Sequence, residues 1–210
     1  MPRLFALIIG INDYADSDIP DLRGAVGDAN AVKYFLVEDV GIPERQIVNL
    51  SNAEATRVAI ETEIRKLAEN PAINAGNPIL IYYAGYSAET VPDSQEPIEM
   101  LLPHDFSYRG SENGVPTTTL FRLLRQLKEQ KGNNITIIFD CDEQRHTTRT
   151  HIDEDLSSYV LLTACRKGQS ARETAGGGVF TTALLNLLRR EGLDKITYEE
   201  AITALQKLPG

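Results

Sequence analysis

The sequence predicts an α/β domain with a mostly parallel central sheet and helices on both of its faces. Three observations predict it. Short β-branched or aromatic runs alternate along the chain with segments of helical periodicity, which demands crossover connections. The runs are apolar at nearly every position, as in strands covered by helices on both sides. No linker or composition break divides the 210 residues, so one domain over residues 1–210 is expected.

The strands are read at Phe5–Ile11, Gln46–Leu50, Ile79–Ala84, Ile135–Asp140 and Tyr159–Thr163, each closed by Gly, Asn or Asp turn chemistry. Helices are read between and after them. Asp28–Glu38 sets Ala29, Val32, Phe35 and Leu36 on one face, and Glu54–Glu69 does the same with Val58, Ile60, Ile64 and Leu67. Thr118–Lys131 follows with Leu120, Leu123, Leu124 and Leu127, and then come Phe180–Arg190 and Tyr198–Leu208. Asn52 and the Thr117–Thr119 cluster are the start signals of the second and third helices. The polar segments Glu89–Pro97 and Arg145–Asp155 follow the third and fourth strands, at the carboxyl end of the sheet where α/β folds hold their ligands. As isolated segments they read equally as solvated connections.

Composition narrows the function classes. Thirty acidic against 21 basic residues leave a net charge of −9, which disfavours nucleic acid and anionic membranes as partners. No apolar stretch reaches membrane-spanning length, and the N-terminal run reads as a buried strand without a signal-peptide cleavage site. Two cysteines, Cys141 and Cys165, do not make a disulfide scaffold, and a reducing, cytoplasmic setting is expected. His146 and His151 share one polar loop without partners at metal-ligand spacing, so neither metal nor cofactor is expected.

The chemistry lies at two strand ends, Tyr82-Tyr83-Ala84-Gly85-Tyr86-Ser87 and Ile138-Phe139-Asp140-Cys141-Asp142. Together they resemble the two halves of the active site in the caspase-like, metacaspase-type family (peptidase C14), where the strands end in Ala-Gly-His-Gly and Asp-Cys-Cys-His-Ser-Gly. The likeness spans almost the whole chain. Leu7–Tyr14 with Leu22–Ala29 is similar to the family's opening strand and loop, and Met100–Asp105 to the hairpin after its His segment. Tyr159–Arg166, Ala171–Glu173 and Gly178–Leu185 are similar to its small-subunit region, and Leu193–Tyr198 to the entry of its last helix. The resemblance implies a three-layer caspase-like fold, with a large-subunit-like part over about 1–150 and a small-subunit-like part over about 151–210. It also implies that the chain stops before an edge strand which the family usually supplies.

Carried over residue by residue, the resemblance puts Tyr86 at the general-base position and Asp142 at the nucleophile position. A phenol of ordinary pKa near ~10 is a poor base at neutral pH, and a carboxylate attacks an amide weakly and reversibly. Ser87 stands for the oxyanion-side Gly, and Glu143-Gln144-Arg145 for the residues after the nucleophile. A catalytically inactive pseudo-peptidase, acting as a binding or regulatory module, is therefore expected.

Two cysteines offer rescue. Cys141 is one position off register, and a strand turns neighbouring side chains to opposite faces, so it reads as core. Thr163-Ala164-Cys165-Arg166 imitates the caspase signature Gln-Ala-Cys-Arg-Gly, and an active endopeptidase using Cys165 is the alternative reading. Against it, His104 sits in a hairpin and little chain follows Cys165. Gly85-Tyr86-Ser87-Ala88-Glu89 only partly mimics a nucleophile elbow. Gly176-Gly177-Gly178 lacks the Lys of a phosphate loop and reads as a turn.

The resemblance also implies that Asp28 and Asp140 form the pocket by which metacaspase-type enzymes grip a basic side chain, which a carboxylate pair does through bidentate hydrogen bonds. Their structural readings stand beside this one: Asp28 as a helix N-cap, Asp140 as a partner for loop backbone. The expected partner is a protein, either an active caspase-like relative or a basic peptide segment.

Overall fold

In the computed structural model, residues 3–90, 98–109, 113–143, 160–163, 173–174, 177–192 and 195–205 are described. Five parallel strands run through the sheet: β1 (Phe5–Gly10), β2 (Ile47–Ser51), β3 (Ile79–Thr90), β6 (Ile135–Glu143) and β7 (Val160–Thr163), in the spatial order β2-β1-β3-β6-β7. The short strands β4 (Ile98–Leu101) and β5 (Val115–Pro116) continue antiparallel from the far half of β3. A separate two-residue ladder joins β8 (Glu173–Thr174) to β9 (Gly177–Gly178).

Strand alternation divides the core in two. Leu7, Ile9, Ile79, Ile81, Tyr83, Ile135 and Ile137 point to one face. There they meet Ile60, Ile64 and Leu67 of α2 (Arg57–Glu69) and Leu120, Leu123, Leu124 and Leu127 of α3 (Thr117–Lys131). Ala6, Ile8, Leu80, Tyr82, Ala84 and Ile138 point to the other. That face is covered by Ala25, Ala29 and Val32 of α1 (Ala25–Tyr34) and Leu184 and Leu185 of α4 (Val179–Glu191). A final helix, α5 (Tyr198–Leu205), leans on α4. The result is the expected three-layer α/β architecture. No described helix is long and apolar enough to cross a membrane.

Several element boundaries differ from the sequence reading. Strands β3 and β6 run past Ala84 and Asp140, because each is a partner for the other as far as Ser87 and Glu143. β1 ends opposite Ala84, and β4 then takes over its side of β3 from Ser87 onward. Glu89 and Thr90 are therefore strand, not loop. Residues 91–97 and 144–159, which hold the rest of the two polar segments, lie outside the described residues, as do residues 164–172 with Cys165. Gly177 and Gly178 are strand β9 rather than a plain turn.

The helix starts differ as well. α1 begins at Ala25, so Asp28 lies inside its first turn and is not its N-cap. Thr56, not Asn52, caps α2, its hydroxyl accepting from Ala59 N–H at 3.2 Å. The Thr117–Thr119 cluster lies within α3, whose N-cap position is Pro116. Val58 is exposed rather than part of the apolar face of α2. Asn52 instead adopts a left-handed backbone (φ 47°) in a 3₁₀ turn. Its side-chain oxygen accepts from the N–H groups of Asn12 and Asp13, at 2.8 and 3.3 Å, which ties the end of β2 to the loop after β1. That loop leads toward the candidate site.

Candidate functional site

Two groups of residues meet at the carboxyl end of the sheet. The first surrounds Tyr86, which pairs in register with Asp142 across β3 and β6, with Gly85 opposite Cys141 and Ala84 opposite Asp140. Tyr86 is buried at 5% exposure, its ring 5.3 Å from that of Tyr14 in a tilted contact. Its backbone is held on both sides. The N–H donates to Tyr14 Oη at 2.8 Å, and the carbonyl accepts from Leu102 N–H at 2.9 Å and Tyr83 O–H at 2.8 Å. Tyr83 O–H is shared with the Leu102 carbonyl, also at 2.8 Å. A Cβ on Gly85 would sit 2.8 Å from Tyr83 Oη and 3.1 Å from Tyr14 Oη, so only glycine leaves room for both hydroxyls. Burial pushes the Tyr14 and Tyr83 phenols well above the ordinary tyrosine range, so both remain protonated at neutral pH.

Cys141 is buried in the same apolar cluster, on the α2/α3 face. Ile138 and Tyr82 mark the opposite face, where Asp140 finds its partners. The one-residue offset thus separates the thiol from the acidic group, as strand geometry requires.

The second group is acidic. Asp28 of α1 and Asp140 of β6 are 6% and 7% exposed, from elements far apart in sequence. Both Asp28 oxygens accept from Gly178 N–H, at 2.9 and 2.8 Å. Asp140 Oδ2 accepts from Thr181 Oγ1–H at 2.6 Å. A Cβ built on Gly178 would lie 2.7 Å from Asp28 Oδ2 and 3.1 Å from Asp140 Oδ2, so the two carboxylates converge on one point at the start of α4. Tyr82 Oη lies 2.7 Å from Thr181 Oγ1. Burial, and then the nearby negative charges of Asp140 and Asp28, push the Tyr82 phenol far above its ordinary range. Such a pair can accept hydrogen bonds from a guanidinium or an ammonium.

A family model described as the caspase domain (Peptidase C14) matches residues 3–208. The chain belongs to that family. This caspase domain is 31% identical over 113 residues to Metacaspase-1 of Eremothecium gossypii. The matched stretch covers 50% of the chain and 25% of that relative, so the match takes in about a quarter of the curated protein's length. In fold it is similar to a Geobacter sulfurreducens protein of known crystal structure, with a TM-score of 0.71 at 17% identity over 99% of this chain and 90% of that one. Caspase-1 from Spodoptera frugiperda gives a TM-score of 0.70 at 14% identity, over 97% and 75%.

The structure of the caspase domain brings Asp28 and Asp140 together and sets Tyr86 and Asp142 side by side in the backbone register. Of Asp142 only the backbone is described. Tyr14, Tyr82 and Thr181 escaped the sequence reading. A usable signal was present for one of them: consecutive tyrosines in an otherwise apolar strand need buried partners for their hydroxyls.

Proposed function

We propose that this domain is a pseudo-peptidase: a caspase-like module that binds a basic segment of a protein partner without cleaving it by the Cys–His route. The observation that carries the reading is the register pair Tyr86–Asp142. These residues stand at the positions where the resemblance to metacaspase-type enzymes puts the general base and the nucleophile. Peptide-bond attack there needs a thiolate and a nearby imidazole. Neither residue type is present at either position. The Tyr86 ring is packed against Tyr14 in the core, which suits a structural side chain better than a proton carrier.

The binding half of the reading rests on Asp28 and Asp140. Two nearly buried carboxylates converging on one point favour a cation, since close like charges in a low-dielectric setting repel. An arginine or lysine of a partner supplies one with matching geometry. An active caspase-like relative is a partner of this chemistry, and a cytoplasmic setting fits the two-cysteine composition. Titrating an arginine-containing peptide into the protein is expected to raise the melting temperature, as a ligand of the folded state must. The rise should disappear in Asp28→Asn with Asp140→Asn. An equal rise in that double variant would place the basic ligand elsewhere.

A further inference from the structure

Behind the acidic pair lies a chain of hydroxyls. Thr181 has one hydroxyl proton, and it is donated to Asp140 Oδ2 at 2.6 Å. In the 2.7 Å contact between Tyr82 Oη and Thr181 Oγ1, the phenol must then be the donor. The bonds run in one direction, from Tyr82 of β3 through Thr181 of α4 to Asp140 of β6. Tyr82 and Thr181 are fully buried and Asp140 is 7% exposed. Among the described residues, the groups near Asp140 include the Asp28 carboxylate from α1, the Tyr82 phenol from β3 and the Thr181 hydroxyl of α4, with Gly178 close beside both carboxylates. The neighbouring Cys141 thiol is on the other face of β6.

The direction has a chemical consequence. An ionised Asp140 only accepts, which orders both hydroxyl protons toward it. An Asp140 protonated on Oδ2 would donate to Thr181 and reverse the order of the whole chain, with Tyr82 O–H losing Thr181 as its acceptor. Such a loss is costly for a buried donor. One protonated on Oδ1 would keep the order but accept more weakly from Thr181 than a carboxylate does. The relay therefore favours the charged carboxyl.

We propose that Tyr82 and Thr181 are positioning residues for the acidic pair, a one-way hydroxyl relay that keeps Asp140 an ionised acceptor beside Asp28 and so tunes the pocket for a basic side chain. The relay itself stands on the bond geometry, while its tuning role rests on the basic-ligand reading above. Two measurements separate them. Carboxyl-carbon NMR of the full chain follows the titration of Asp140, and calorimetry follows binding of Nα-acetyl-arginine methylamide.

In Thr181→Val, which keeps the shape but removes the hydroxyl, the Asp140 midpoint should rise. Thr181→Ser should restore it, and Tyr82→Phe should give a smaller rise. Arginine-amide affinity should fall about tenfold or more in Thr181→Val, as expected for loss of a bond to a charged group, and return in Thr181→Ser. An unmoved midpoint in Thr181→Val overturns the relay, whatever binding does. Should that variant fail to fold, an unmoved midpoint in Tyr82→Phe overturns it. A shifted midpoint with unchanged arginine-amide affinity overturns the tuning role. A shifted midpoint in a protein whose wild type binds no arginine amide leaves the relay standing and removes the basic-ligand reading instead.

Discussion

At Gly178 the absence of a side chain is what lets the Asp28 and Asp140 carboxylates crowd against one backbone position, where Asp28 takes the amide proton and Asp140 the Thr181 hydroxyl. The Gly178 φ of −65° is open to any residue, so the requirement is one of space alone. A methyl group would lie 2.7 Å from Asp28 Oδ2 and 3.1 Å from Asp140 Oδ2. One of the carboxylates must move, or α4 must lift from the sheet. Gly178→Ala is therefore expected to lower stability by about 1–3 kcal/mol, the usual cost of overfilling a packed site, measured by urea denaturation. An unchanged midpoint would show that the acidic pair is looser than these distances say. The same reasoning applies around Tyr86, where Tyr14, Tyr83 and Leu102 use up both of its backbone groups. That residue is held as part of the core.

Among the elements, the strands were legible in the sequence because their apolar runs have nowhere else to go. Their ends were not. β3 and β6 extend beyond the apolar runs because each supplies the other's ladder bonds, a long-range fact that no local pattern carries. Helix starts failed for a related reason. Asn52 is a strong local cap signal, but its side chain is committed to the loop after β1, and Thr56 caps α2 instead. Of the site, Asp28 and Asp140 were reached through family resemblance, while Thr181 and Tyr82 needed the tertiary contact of α4 with the sheet. Helix α2 also carries a test of its surface charge. Burial raises the Glu61 pKa, but the hydrogen bonds and charges of Arg57 and Arg65 outweigh it and leave the carboxyl below its ordinary range. A depressed folded-state pKa stabilises the protein above the unfolded value near ~4.3 and is lost as pH falls through the folded value. Glu61→Gln should thus cost about 1 kcal/mol or less at pH 7. The difference from wild type should shrink as the pH falls through that window. A gap that stays constant into acid would mean that the charge of Glu61 is not what stabilises the helix.

The whole molecule has the layered caspase-like frame of its family, with a core on each face of one sheet. Under the proposed reading, the chemistry of that frame is gone at several positions at once. Tyr86→His with Asp142→Cys is accordingly expected to give at most faint peptidase activity. On the same reading Ser87 and the Glu143-Gln144-Arg145 segment replace further parts of the site, and the parts of a catalytic unit act non-additively. Robust cleavage by that double variant would show that two substitutions alone silence the site. The central claim is tested most directly by assaying the unaltered protein on Arg-, Lys- and Asp-terminated peptide reporters, beside Cys165→Ala as control. The pseudo-peptidase reading predicts no release of reporter from either protein. Turnover by the unaltered chain that disappears in Cys165→Ala would contradict it and establish an active endopeptidase.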